Sequence, residues 1–124
     1  MKIVVDAMGG DHAPESIVEG AVLAAREFGA HIILVGMKDR IEAALKKYDD
    51  RSSLPMEVHH ADEAVEMADI PAKALRAKKK SSMKIGMELV KSGEAKAFVS
   101  AGNTGAALAF ATVILRPLKG VDRP

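Results

Sequence analysis

Two periodicities alternate along the chain. Residues 2–6 form a short, mostly β-branched run that ends on Asp6. Across 14–28 the apolar residues Ile17, Val18, Ala21, Val22, Ala25 and Phe28 return every three or four positions, the spacing of a helix face. Pro14 suits the first turn of that helix, Glu15 suits the positive end of its dipole, and Gly29 stops it. Residues 31–35 predict a second strand. Ile41, Ala44, Leu45 and Tyr48 make a second helical stripe, and the polar stretch DDRSS follows as a loop.

Residues 56–59 predict a third strand and 81–91 a helix capped by Ser81 or Ser82 and ended by Gly93. Residues 96–100 predict a fourth strand, and the nearly all-apolar stretch 104–115 predicts a last helix, expected to be central. Strands alternating with helices imply an α/β fold, doubly wound, with a mostly parallel sheet and helices on both faces. There is no internal repeat and no low-complexity linker. The final stretch RPLKGVDRP offers no closing strand or docking helix, and a sheet stopping there would keep an unpaired edge. Residues 1–124 are therefore expected to be the N-terminal part of a single domain that continues.

Composition narrows the chemistry. The chain has no cysteine, which excludes disulfides, thiolate metal sites and a cysteine nucleophile, and suits a reducing cytoplasm. A net charge of +1 gives no overall pull toward nucleic acid or membrane, and without tryptophan a base-stacking platform is poorly supplied. The opening MKIVVDA is too short and too early acidic for a secretory signal. The longest apolar stretch, 106–115, falls short of the roughly 20 residues of a membrane span.

In an open α/β sheet, ligands bind beyond the carboxyl ends of the strands. Two glycine-rich turns are expected there, DAMGGD after the first strand and SAGNTGA after the fourth. In the second, Gly102 and Gly105 allow close backbone approach, and Ser100, Asn103 and Thr104 offer short polar side chains. Amides opening the following helix could bind an anion; Asn103 or Thr104 could equally do no more than cap it. Neither turn matches the dinucleotide or P-loop patterns.

In the first turn, Gly9 and Gly10 free the backbone. Asp6 and Asp11 would repel an anion by about 1 kcal/mol each at contact distance in water, so they suit loop amides, a hydroxyl, or a metal bound together with a phosphate better. His12 beside Asp11 is either an acid–base candidate or an exposed loop residue. A charge switch follows further on: Glu57, Asp62, Glu63, Glu66 and Asp69 carry no interspersed Lys or Arg, whereas Lys73, Arg76, Lys78, Lys79, Lys80, Lys84 and Lys91 face only Glu88. This basic run is a solvated face or a docking surface for an acidic partner. His59 and His60 point to opposite faces of a strand and cannot chelate one metal. Met37, Met56, Met67, Met83 and Met87 read as core filler, although flexible methionines also suit a site for a variable alkyl chain.

Three segments in order, VDAMGGDHAP, PAKALRAKKKSSM and VSAGNTGA, resemble the bacterial PlsX family of phosphate acyltransferases. The resemblance runs over essentially the whole chain. It implies an enzyme of phospholipid synthesis that makes acyl phosphate and free carrier protein from an acyl-[acyl-carrier-protein] thioester and inorganic phosphate. It also implies a fold like that of isopropylmalate dehydrogenase and phosphotransacetylase, a homodimer, and a cytoplasmic protein loosely associated with the inner membrane surface.

Phosphate near neutral pH is already nucleophilic, so no cofactor, metal or covalent intermediate is expected; the protein must position phosphate and stabilise an oxyanion. On this reading Ser100, Gly102, Asn103, Thr104 and Gly105 contact phosphate, with Asn103 the leading transition-state donor. Gly9 and Gly10 shape the cleft mouth, Asp6 and Asp11 fix the loop, and His12 is a catalytic candidate. Arg76, Lys78, Lys79 and Lys80 dock the acidic carrier. Competing readings are a phosphotransacetylase-like or dehydrogenase-like enzyme of the same fold group, and a non-catalytic anion-binding module.

Overall fold

The computed structural model describes residues 1–123. Strands β1 (Lys2–Asp6), β2 (His31–Gly36), β3 (Met56–His60) and β4 (Ala97–Val99) form an all-parallel sheet in the order β3-β2-β1-β4. β1 runs beside β2 from Lys2 opposite His31 to Asp6 opposite Val35, which brings Asp6 to the carboxyl edge of the sheet.

Helices α1 (Glu15–Phe28) and α2 (Lys38–Leu45) cover one face. Their core packs Val18, Val22, Ile41 and Leu45 against Ile32 and Leu34. Helix α4 (Ser82–Lys91) covers the other face, where Leu89 joins Val4, Ile33 and Val35. Helices α3 (Pro71–Ala77) and α5 (Thr104–Ile114) lie outside α4, and Met83 and Met87 meet Phe110 and Ile114 there. Both faces of β2 are thus apolar, as a doubly covered parallel strand requires. The architecture is the expected α/β, doubly wound one, with helices on both faces.

The chain steps from β1 outward to β2 and β3, then crosses back to place β4 on the other side of β1. The strand order reverses at β1, so the loops after β1 and β4 leave neighbouring strands in opposite directions. That is where an open α/β sheet forms a crevice.

Several expectations change. Helix α3 has no counterpart in the sequence periodicity: PAKALRA has Pro71 in its first turn but carries only Ala74 as a buried residue, too weak a stripe to read. Helix α5 is not central; it buries Ala106, Phe110 and Ile114 but leaves Leu108 and Val113 about half exposed. Met67 is exposed, not core, because it sits on the loop before α3, whereas Met83 and Met87 are buried. Ser81, not Ser82, caps α4, its hydroxyl accepting from the Lys84 amide.

Candidate functional site

The loop after β1 turns at once. The Gly9 amide donates to the Asp6 carbonyl at 3.3 Å, and Gly10 adopts φ +111°, a backbone conformation that side chains resist. Against this turn lies the loop after β4, at contact distance. A β-carbon on Gly9 would stand 2.7 Å from Ser100 Oγ and 2.9 Å from the Gly102 nitrogen; one on Gly102 would stand 3.0 Å from Gly9 Cα. Two glycines facing each other let the two loops touch.

Asp6 clamps that contact. Its carboxylate is buried, with 3% of its surface exposed. Oδ1 accepts from the Met8 amide at 3.1 Å and from the Ser82 hydroxyl at 2.7 Å, and Oδ2 accepts from the Ser100 hydroxyl at 3.0 Å. Ser100 Oγ in turn accepts from the Gly102 amide at 3.1 Å. One carboxylate therefore ties the first loop, the second loop and the N-terminus of α4 together. Its charge is directed at three inward donors and not at the crevice.

Asn103 faces elsewhere. Its Oδ1 accepts from the Ala106 amide at 3.0 Å, capping α5. Its Nδ2 donates to the carbonyls of Glu66, Met67 and Asp69, at 3.2, 3.3 and 2.9 Å. The same loop is held by Lys78, whose Nζ reaches the Ala64 carbonyl at 2.8 Å and Asp69 Oδ2 at 2.5 Å. Hydrogen bonding from Lys78, followed by the Glu66 amide, holds the Asp69 carboxyl below its ordinary range. Asn103 and Lys78 thus both fasten segment 64–69, beside the burial of Val65 against Met83 and Phe110.

What is left for a ligand is mostly main chain. Among the described residues, the amides of Gly10, Asp11, His12 and Ala101 have no hydrogen-bond acceptor. Those of Thr104 and Gly105 open α5, where first-turn amides lack intrahelical acceptors. Both residues are exposed, and Gly105 passes so close to α3 that a β-carbon would meet Pro71 Cγ at 2.9 Å. Asp11 and His12 are exposed, and neither side chain meets a hydrogen-bonding partner among the described residues.

Of the basic residues, Arg76, Lys79 and Lys80 are exposed, while Lys78 is partly buried in its pair. Lys80 approaches Asp62 only at 3.9 Å. Sequence reasoning missed two residues of this region. Ser82 reaches Asp6 from 76 positions away, and Arg40 donates to the Ala13 carbonyl of the first loop at 3.3 Å. Ser82 is legible only as a candidate helix cap, and Arg40 carries no local signal. No His, Asp or Glu cluster able to hold a metal occurs among the described residues, and none of their helices is long and apolar enough to cross a membrane.

The whole chain is matched, from residue 1 to 124, by the model of a family described as fatty acid synthesis protein. The chain belongs to this family. Its relatives include proteins named phosphate acyltransferase from Geobacter sulfurreducens, 52% identical over the entire chain, and from Herpetosiphon aurantiacus, also 52% identical over the entire chain. One from Clostridioides difficile is 50% identical over the entire chain. The chain spans 36%, 33% and 36% of their lengths respectively, about a third of each.

Proposed function

We propose that the full-length protein transfers an acyl group from an acyl-[acyl-carrier-protein] thioester to inorganic phosphate, and that residues 1–124 supply the phosphate side of the site. The observation that carries this reading is the contact between the Gly9–Gly10 turn and the Ser100–Gly102 turn at the strand-order switch, with unpaired amides on both. The names of the relatives agree with it.

In the proposed reaction a phosphate oxygen attacks the thioester carbonyl carbon. The carbonyl oxygen gains negative charge, the carbon–sulfur bond then breaks, and the carrier leaves as a thiolate that takes up a proton. Amides of Gly10, Asp11, His12, Ala101, Thr104 and Gly105 hold phosphate and face the developing charge; loss of a single preorganised oxyanion donor typically costs about 3–4 kcal/mol. Asp6 and Ser100 fix the geometry from beneath, whereas the exposed Asp11 carboxylate, expected to fix the loop, meets no partner among the described residues and leaves only its amide to the site.

Asn103 takes a positioning role in this scheme. All its side-chain polar atoms are committed to α5 and to segment 66–69. His12, exposed beside the loop amides, is the candidate for protonating the leaving thiolate. Arg76, Lys79 and Lys80 present the face that receives an acidic carrier; Lys78 contributes by holding segment 64–69 in place.

Hydroxylamine trapping tests the reading. Full-length protein incubated with an acyl carrier thioester and phosphate should yield acyl hydroxamate in proportion to phosphate. Phosphate binding without hydroxamate would instead favour an anion-binding module, and hydroxamate formed equally well from a coenzyme A ester would favour a phosphotransacetylase.

A further inference from the structure

Helix α1 is apolar on more of its surface than its contact with the sheet uses. Val18, Val22 and Ala25 pack into the core. Ile17, Gly20, Ala24 and Phe28 form a neighbouring stripe, and the combined arc is about twice the ~100° that one contact needs. This second stripe does not face bare solvent alone. Ile17, Gly20 and Ala24 form one wall of a groove of about 350 Å³ whose floor is Ile3 and Val5 of β1 and Val99 of β4.

Val99 is 52% exposed and Phe28, at the end of the stripe, 75% exposed. The opposite face of these same strands is covered by α4 and α5. A parallel strand bare on one face contradicts the burial that parallel sheets require. β4 also pairs with β1 alone among the described residues, leaving one edge of the sheet free.

We infer that this groove is the seat of an apolar helix supplied by the part of the full-length chain that lies outside residues 1–124. Relatives carry close to two-thirds of their length beyond the matched region, so chain is available to cover it. Two strands bare on one face call for a covering element, and a helix of the remaining chain supplies one. The groove wall is built of Gly20, which has nothing within 4 Å of where a β-carbon would sit, and of Ala24. Small residues there let a second helix come close to α1 while touching Ile3, Val5 and Val99.

Single cysteines in the full-length chain, with any others replaced, test this. At Ala24→Cys, labelling by a water-soluble maleimide should run at least ~100-fold slower than at Glu19→Cys on the exposed side of α1, and unfolding should equalise the two rates. A photo-crosslinking amino acid in place of Phe28 should join α1 to a peptide beyond residue 124 of the same chain. Equal labelling rates in the native protein would overturn the inference. So would crosslinks that join two copies in a mixture of isotopically heavy and light protein, or protection that appears only when an acyl substrate is added. The crosslink decides independently if the cysteine variant fails to fold.

Discussion

The hydroxyl of Ser82 donates to Asp6 Oδ1 at 2.7 Å, joining the first residue of α4 to the last residue of β1 across 76 positions. With Ser100 on Oδ2 and the Met8 amide on Oδ1, it makes a buried carboxylate the common anchor of both glycine turns. Ser82→Ala should lower the stability of the full-length protein by about 1–3 kcal/mol, because the buried acceptor loses a donor that water cannot replace. Asp6→Ala should cost more, since it releases all three donors. Urea denaturation midpoints check both; unchanged midpoints would remove the clamp from the account.

Asn103 separates position from chemistry. Removing its side chain takes away a helix cap, worth about 1 kcal/mol, together with the three contacts that hold segment 66–69. Asn103→Ala should therefore lose turnover and melting temperature together and expose segment 64–70 to proteolysis. Asn103→Asp keeps the capping oxygen but sets a carboxylate oxygen against the three carbonyls, and should lose at least as much stability as the alanine variant. If Asn103→Ala instead keeps its melting temperature and loses turnover by about 100- to 1000-fold, as for a missing oxyanion donor, the side chain touches the reaction directly.

How much of this was readable beforehand follows from which contacts are local. Strands and most helices were legible because Val18, Ala21, Val22 and Ala25, or Met83 and Met87, repeat at the period of the element that buries them. The two glycine turns were legible as well, since Gly9, Gly10 and Gly102 mark backbone that a side chain would obstruct. Helix α3 was not, with one buried residue in seven. Nor was the orientation of Asn103: a cap and an anion donor share the same residue type, and only the placement of segment 66–69, some 35 residues away, decides between them. Lys78 illustrates the same limit, looking like its neighbours Lys79 and Lys80 until Asp69 folds against it.

That difference among the lysines gives a kinetic prediction. Charge reversal at Arg76, Lys79 and Lys80 should raise KM for the carrier substrate by roughly tenfold with little change in kcat, and the defect should shrink as salt rises. Lys78→Glu should behave differently, lowering stability by releasing Asp69 and the Ala64 carbonyl. Steady-state kinetics across salt concentrations and a thermal melt of each variant distinguish them. A KM indifferent to both charge and salt would make the basic face a solvated surface.

The Asp69–Lys78 pair also sets a pH dependence. The Asp69 carboxyl titrates below its ordinary value of 3.8 in the folded chain, chiefly through its hydrogen bond from Lys78. The pair's contribution is then complete above about pH 4 and is lost as pH falls through the lower folded value. Thermal melts between pH 5 and pH 2 should show a steeper acid loss for the native sequence than for Asp69→Asn, whose curve lacks this titration. Parallel curves would mean that the pair contributes nothing measurable.

In the proposed site, two touching glycine turns hold inorganic phosphate. The most direct measurement is the phosphate dependence of acyl phosphate formation by full-length Gly102→Ala and Gly10→Ala variants, with folding checked by circular dichroism. A β-carbon at Gly102 would push the Gly9 turn away, and one at Gly10 strains a backbone held at φ +111°. KM for phosphate should rise at least about tenfold in both, as expected when binding contacts to one substrate are lost, with KM for the carrier substrate unchanged. Folded variants that keep the native KM for phosphate would contradict it.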